Sequence, residues 1–279
     1  MRLRYTSQMD PYPNDAADAA SDPATADDTA AQRRGVALRV LPLAASLTWL
    51  RLGWRDFQRA PAIGLFYGAS FSAMGWLLLA LFRSAPAYTL ALSAGFLLLG
   101  PFVCLGLYDV SRRLERGETP SFTASLTAWR TRTGTLAIFG GVLLILEMLW
   151  GRASLVIFAV SFDGLPDFKG SLLALLDPEN LGFIVVYLMV GSLFAGLIFA
   201  ISVVAMPMIL DRQTDAVTAA LTSLHLCFAQ PVVMLLWGAL ITLLVVAAML
   251  PAFAGLLIAG PVLGHASWHC YRAAVGEAE

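Results

Sequence analysis

Six long apolar segments constrain this sequence more than any other feature. They are Ala62–Phe82, Ala87–Leu107, Gly134–Trp150 with some extension beyond its outer end, Leu181–Ile209, Val232–Leu250 and Ala252–Cys270. About twenty apolar residues in a helix cross the roughly 30 Å hydrocarbon layer of a membrane. Only a helix satisfies its own backbone hydrogen bonds there, so we expect an all-α, polytopic membrane protein with six transmembrane helices. The charged fraction is 13%, against about 25% in soluble domains, which favours the same class.

Arginine is concentrated on one side of the predicted spans. Eleven arginines flank the spans on that side, whereas Arg83, Arg152 and Lys169 flank the other. Because basic residues are enriched in cytoplasmic loops, we expect both termini to be cytoplasmic. An even number of spans agrees with this orientation. The sequence therefore predicts a multi-pass protein of a bacterial inner membrane.

Two segments fall outside the predicted spans. Residues 1–37 carry six aspartates among Ala, Pro, Ser and Thr, and they contain no apolar signal-peptide core. Such a composition predicts a disordered, acidic cytoplasmic tail before a membrane domain over residues 38–279. Ser154–Phe162, in the predicted outer loop, is apolar but too short to cross. We expect this segment to lie at the membrane interface, with a re-entrant segment as the alternative.

An octapeptide occurs twice. Residues 94–101 (AGFLLLGP) and 254–261 (AGLLIAGP) share five identities, and prolines recur near the cytoplasmic ends of the even-numbered spans at Pro101, Pro207 and Pro261. This pattern predicts three pseudo-repeated hairpins, over about residues 43–120, 121–215 and 216–275. Each hairpin would begin with an amphipathic lead-in helix.

The first lead-in combines an apolar face with a basic stripe. The apolar residues are Leu43, Leu47, Leu50, Trp54 and Phe57, and the stripe is Arg51, Arg55 and Arg59. Their spacings of three and four place each set on one side of a helix. This pattern is typical of a helix in the headgroup layer, with its cations against anionic lipid. The alternative is a helix packed on the protein's own spans.

A second basic cluster follows the second predicted span. It consists of Arg112, Arg113 and Arg116, and a hairpin would bring it to the same side as the arginine stripe. We interpret both clusters as candidate contacts for lipid headgroups or an acidic partner. The competing interpretation is internal pairing with nearby acids, which are Asp56, Asp109, Glu115 and Glu118.

Polar residues inside the spans are few. Glu147 is the one acidic residue within a predicted span, so Glu147 and Arg152 form a candidate intramembrane polar site. The alternative places Glu147 at the outer interface, paired with Arg152 or solvated. His265 and His269 share a helix face, but no acidic residue of that span completes a metal site. The sequence predicts no metal, no cofactor and no catalytic residues.

Small residues recur every four positions through the first span, at Ala60, Gly64, Gly68 and Ser72. Small residues allow helices to approach closely where the hydrophobic effect cannot drive association. We interpret this stripe as internal packing, with a face for homo-oligomer formation as the alternative.

Two segments resemble a known family. They are LRLGWRDFQRAP at Leu50–Pro61 and GFLLLGPFVCLGLYDVSRRLERGETP at Gly95–Pro120. They look like uncharacterised bacterial integral membrane proteins, the domain of unknown function 2189, over about residues 45–275. The resemblance implies a polytopic inner-membrane protein and brings no catalytic residues. Some members of that family are described as cytochrome oxidase components, yet three histidines are too few for an oxidase core.

The function class follows from these features by exclusion. No nucleotide-binding, metalloprotease or hydrolase motif is present, so we expect a non-enzymatic scaffold or accessory protein of the membrane. The alternatives are a transporter for a small solute or lipid and an accessory subunit of a respiratory complex. Expected partners are membrane lipids, anionic ones among them, and copies of this chain or a larger membrane complex. Nucleic acid is not expected.

Overall fold

The computed structural model describes residues 37–84, 89–161, 180–212 and 214–276, with backbone alone at 82–84 and 89–99. The elements over these ranges are helices, which confirms the predicted all-α class. One antiparallel bridge joins Leu38 to Val275. Residues 1–36 of the predicted tail and most of the predicted outer loop, at 162–179, lie outside the described residues.

The described residues form ten α-helices and one 3-10 helix at Ala128–Arg132. The α-helices are α1 (Ala45–Arg59), α2 (Pro61–Ser84), α3 (Thr89–Glu115), α4 (Phe122–Thr127), α5 (Thr133–Ser161), α6 (Leu181–Ser202), α7 (Ala205–Asp211), α8 (Ala216–Ala229), α9 (Pro231–Met249) and α10 (Leu256–Ala274).

Four stretches of the described residues are long and apolar enough to cross a membrane. They are Pro61–Leu81, Phe122–Ser161, Leu181–Asp211 and Pro231–Met249. They coincide with four of the six predicted spans. The predicted second span lies on α3, partly where side chains are not described. The predicted sixth span lies on α10, whose hydropathy is lowered by His265, His269 and Arg272.

Helix α10 packs against α1, α2 and α3. Its buried side chains are concentrated after Pro261 and include Trp268 and Tyr271. Helix α1 lies very close to α10 at Gly53. There is no room for a side chain at this position, since a Cβ added to Gly53 would stand 2.5 Å from the carbonyl oxygen of Val262. The polar half of α10 is therefore enclosed by protein.

The small-residue stripe of α2 holds the turn between α9 and α10. Ser72 Oγ donates a hydrogen bond to the Phe253 carbonyl (3.1 Å), and Trp76 Nε1 donates to the Ala252 carbonyl (2.5 Å). Ala252 and Phe253 have φ values of 50° and 65°, a left-handed conformation that is uncommon for residues with side chains. This stripe is used for packing within the chain, as the first of the two interpretations expects.

Helix α5 is longer than the third predicted span. The described part of Ser154–Phe162 is not a separate segment, because α5 continues without a break to Ser161. Its position at the membrane interface stays a prediction. Arg152 does not end the helix, since its exposed side chain leaves the backbone ladder intact. The 29-residue helix has a length of about 43 Å at 1.5 Å per residue.

Two junctions between a lead-in helix and a span have the same backbone geometry. Ala60 has φ −134° and ψ 57° before Pro61, and Gln230 has φ −136° and ψ 59° before Pro231. The octapeptide copies differ instead: the first lies inside α3, whereas the second begins in the turn before α10. The likeness between the first and third units therefore lies in these junctions rather than in the octapeptide.

The fourth predicted span is broken between α6 and α7 at Val203 and Val204. Pro207 explains the position of the break, because it lacks the N–H that would bond to the carbonyl four residues earlier, at Val203. Ser223 of α8 satisfies the interrupted backbone. Its Oγ donates to the Ala200 carbonyl (2.8 Å) and accepts from the Val204 N–H (3.3 Å).

We expect Ser223→Ala to destabilise the fold by about 1–3 kcal/mol, the range for leaving a buried polar group without its partner. Ser223 is fully buried, and its replacement leaves two backbone groups of the α6–α7 break unpaired. Ser267→Ala is the matched control, because Ser267 Oγ bonds only to the Leu263 carbonyl of its own helix. Thermal unfolding in mild detergent should show a lower midpoint for the first variant. Equal midpoints would contradict this role of Ser223.

Candidate functional site

The arginine stripe lies on an exposed side of α1. The side chains of Arg51, Arg55 and Arg59 are exposed, and none forms an ion pair with another described residue. The nearest acid along the helix, Asp56, is buried and turned toward α10. The internal pairing that we weighed for this cluster is therefore absent from the described part of the chain.

The apolar face of α1 is divided between the protein and its surroundings. Leu43, Leu47 and Trp54 are 63%, 61% and 43% exposed, whereas Phe57 is buried. The contact with α10 is formed by other residues, Gly53 and Asp56, while buried Trp49 packs on Trp237 of α9. Gly53 and Asp56 are small or polar, which is why the sequence pattern did not reveal this contact. Helix α1 thus binds the bundle with one side and presents leucines, Trp54 and arginines on another.

The second arginine cluster behaves differently from the stripe. Arg112 and Arg113 both pair with Asp109, which is only 2% exposed, and Arg113 also contacts Glu118 at 3.2 Å. Arg116 lies 3.6 Å from Asp211. Arg112 donates a further hydrogen bond to a carbonyl of α7. Internal pairing, the alternative interpretation, is observed here.

A polar network joins the ends of α3, α7 and α10. Glu115 accepts hydrogen bonds from Trp268 Nε1 and Arg272 Nε, each at 3.0 Å. Tyr271 Oη donates to Asp211 (2.8 Å) and accepts from Arg212 Nε (2.9 Å). Sequence reasoning missed this network. One signal was available in the sequence. Trp268, Tyr271 and Arg272 are spaced three and four residues apart, so they share one helix face and can bind acidic side chains at the ends of neighbouring helices.

The two histidines of α10 bind separate partners. His269 Nε2 lies 2.8 Å from the Asp56 carboxylate, and His265 Nδ1 lies 2.8 Å from Ser111 Oγ. Burial alone would raise the pKa of Asp56, but the hydrogen bond and charge of His269 outweigh burial and hold the pKa below its usual value. Among the described residues, no group of three metal-ligating side chains comes together. The geometry indicates a link between α1, α3 and α10.

Glu147 lies inside the bundle, away from Arg152. It is 8% exposed and faces a cavity of about 260 Å³ between α3, α5 and α6. Its neighbours around the cavity are Pro101, Leu143, Trp150, Gly191, Phe194, Ala195, Ile198 and Phe199. Five residues along a helix correspond to a rotation of about 140°, so Arg152 projects from a different side of α5. The structure does not bring these two candidate residues together, and no ion pair between them is present in the described part of the chain.

A family model described as "predicted integral membrane protein (DUF2189)" matches residues 89–211. The match covers 123 of the 279 residues, and over this part the chain is similar to that family. The resemblance inferred from the sequence extended over about residues 45–275, and the match covers the middle of that range. No curated protein and no solved structure matches the chain.

The DUF2189 match contains only part of the candidate surfaces. It includes Asp109, the second arginine cluster and Glu147, together with the broken α6–α7 element. The arginine stripe on α1 and the polar face of α10 lie outside it. Helix α10, which contacts α3 through His265 and Trp268, therefore lies outside the DUF2189 match.

Proposed function

We propose that this protein is a non-enzymatic scaffold or accessory protein of a bacterial inner membrane that binds anionic lipid headgroups through α1. The observation that carries the proposal is the combination on α1 of three exposed arginines without described partners and two exposed apolar side chains, Leu47 and Trp54, with exposed Leu43 just before the helix. A helix lying in the headgroup layer needs these two features together.

The second lead-in supports the same placement. Phe122, Leu126 and Trp129 are 43%, 40% and 47% exposed, and the Arg130 guanidinium lies 5.9 Å from the centre of the Trp129 ring. Tryptophan and arginine are favoured where apolar and aqueous surroundings meet. Two short amphipathic helices with exposed aromatic and basic side chains are consistent with one interfacial layer.

The proposed topology has six spans and both termini in the cytoplasm. Helix α3 has 27 residues, a length of about 40 Å at 1.5 Å per residue. Helix α10 has 19 residues, about 28 Å on the same basis, which is close to the hydrocarbon thickness. The polar side chains of α10 are consistent with a span because the neighbouring helices cover them. The matching lead-in junctions support the proposal of repeated hairpins.

We expect a reporter fused after Gly276 to give a cytoplasmic signal, and one inserted between Asp163 and Asn180 to give an outward signal. The physical reason is the excess of arginine on one side of the spans. A pair of fusions, one active only when exported and one fluorescent only in the cytoplasm, would measure both positions. An outward signal after Gly276 would contradict the topology.

Lipid binding provides the test of the proposed function. We expect Arg51→Gln, Arg55→Gln and Arg59→Gln together to lower the retention of cardiolipin and phosphatidylglycerol in native mass spectra. Each arginine near an anionic surface contributes about 1 kcal/mol, and salt screens that contribution. The difference from the unchanged protein should therefore be larger at low salt than at high salt.

The matched control replaces Arg112, Arg113 and Arg116 by glutamine. These arginines are already paired inside the protein, so we expect lower thermal stability and nearly unchanged lipid retention. The proposal fails if the stripe variant retains anionic lipid as well as the unchanged protein does, or if both triple variants lose lipid equally.

Transport of a small solute is the second candidate function. The observation that favours it is the cavity beside Glu147, which lies within the apolar part of the bundle. Scaffold and transporter are distinguished by counterflow of a solute in proteoliposomes, which a scaffold does not support.

A further inference from the structure

Glu147 lies at the middle of α5. The helix runs from Thr133 to Ser161 and places Glu147 fourteen residues from each end, which is about 21 Å in either direction. The interfacial position weighed from the sequence rested on a span ending near Trp150. Because the helix continues for eleven more residues, this carboxyl group lies at the middle of a long apolar helix rather than one turn from its end.

The carboxyl group has no partner in the described part of the chain. Glu147 as a residue is 8% exposed, and no hydrogen bond or ion pair of its side chain is found among the described residues. Its unpaired carboxylate oxygens are not fully enclosed by protein, so they remain accessible from the cavity. Burying an ionised carboxylate without a partner is strongly unfavourable, and most such groups are paired or protonated. The space that Glu147 faces can hold a partner.

The walls of the cavity are apolar and partly aromatic. Trp150 lies beside Glu147 on α5, and Phe194 of α6 packs on Trp150 with ring centres 5.8 Å apart. Gly191 permits this arrangement, because a Cβ there would stand 3.1 Å from the Trp150 ring. Phe199 completes the aromatic lining. One carboxylate among aromatic rings is a combination that recognises organic cations, through charge and through cation–π attraction.

We propose that the cavity between α3, α5 and α6 binds an organic cation with an apolar body, an amine or quaternary ammonium compound, with Glu147 as its counter-charge. The apolar body would contact Phe194, Ile198 and Phe199, and the ammonium group would lie between the Glu147 carboxylate and the Trp150 ring. This site is independent of the lipid-facing surface of α1. It would serve a scaffold as a regulatory site or a transporter as its substrate site.

The test compares a cation with its neutral isostere. Benzyltrimethylammonium and neopentylbenzene have nearly the same shape and differ in charge. We expect the purified full chain in mild detergent to bind benzyltrimethylammonium with a saturable isotherm, measured by equilibrium dialysis and by the change in tryptophan fluorescence that is lost in Trp150→Phe. Glu147→Gln should weaken binding of the cation at least tenfold and leave binding of neopentylbenzene unchanged. Arg152→Gln, on another side of α5, should change neither.

A second variant keeps the proposal testable if Glu147→Gln does not fold. Ala195→Phe fills the cavity from α6 while keeping Glu147, and it should abolish binding of both compounds. The proposal is overturned if either folded variant binds the cation as the unchanged protein does. It is also overturned if neopentylbenzene displaces the cation with equal affinity, since that result would describe an apolar cavity in which Glu147 is simply protonated.

Discussion

Replacing Gly68 with alanine should destabilise the protein by about 3 kcal/mol or more, at the upper end of the range for overpacking a well-packed core. A Cβ at this position would stand 2.0 Å from the carbonyl oxygen of Leu257 and 2.6 Å from its carbonyl carbon. Both are backbone atoms, so no side-chain rotation relieves the clash. The carbonyl lies four residues before Pro261, which cannot donate a hydrogen bond to it. Helices α2 and α10 would have to separate where they meet most closely.

Gly141→Ala is the matched control for this prediction. Gly141 also lies inside a long apolar helix, but no atom lies within 4 Å of the place where its Cβ would be built. Alanine favours a helix over glycine by about 0.5–1 kcal/mol. We therefore expect a lower thermal midpoint for Gly68→Ala in detergent and an equal or higher one for Gly141→Ala. Equal midpoints for both variants would contradict the close α2–α10 contact.

The all-α fold class and the positions of several helices were predictable from the sequence, because helices that cross a membrane must be long and apolar. The small-residue stripe ending at Ser72 correctly indicated a close helix contact. What the sequence could not supply was the identity of the contact, since Gly68 meets Leu257 of α10, nearly two hundred positions later. Periodicity describes one helix at a time and contains no information about which helix lies opposite.

Helix α1 shows the limit of reasoning from apolar periodicity. Its predicted apolar face is divided between exposed and buried side chains, and the contact with α10 uses a different side built around Gly53 and Asp56. Small residues and a buried carboxylate do not stand out on a helix with leucines and tryptophans. The pairing of Asp56 with His269 depends on two elements more than two hundred residues apart, and nothing local to either residue encodes it.

The outer end of α5 was left open by the sequence for a different reason. An arginine after Trp150 indicated the end of a span, yet a helix tolerates one exposed cation on its surface. Glu147 therefore lies at the middle of its helix rather than one turn from its end, while its depth in the membrane stays a prediction. The functional interpretation depends on that depth, because a carboxylate at the interface can be solvated and one at the centre of the membrane cannot.

Asp109→Asn is expected to produce the second large loss of stability, about 2–3 kcal/mol. Asp109 is 2% exposed and accepts hydrogen bonds from the guanidinium groups of both Arg112 and Arg113. Removing one partner of a buried ion pair costs about 3–5 kcal/mol, because a charge remains without compensation. The arginines are 21% and 29% exposed, so water relieves part of that cost.

Glu118→Gln supplies the control within the same network. Glu118 also pairs with Arg113, at 3.2 Å, but its side chain is 47% exposed. Exposed pairs contribute about 0–1 kcal/mol, and salt screens them. We therefore expect Glu118→Gln to have a small effect on the thermal midpoint that disappears at high salt, whereas the effect of Asp109→Asn should persist.

The consequence of losing Asp109 should extend beyond α3. Asp109 orients Arg112, whose guanidinium also donates to the Leu210 carbonyl at the end of α7. This carbonyl lies beside Asp211, which binds Tyr271 of α10. Proteolysis near Arg212 should therefore become faster in Asp109→Asn than in Glu118→Gln at the same temperature. If the two variants have equal midpoints and equal cleavage rates, the buried pair does not hold α3 to α7, and Arg112 would be free to contact lipid after all.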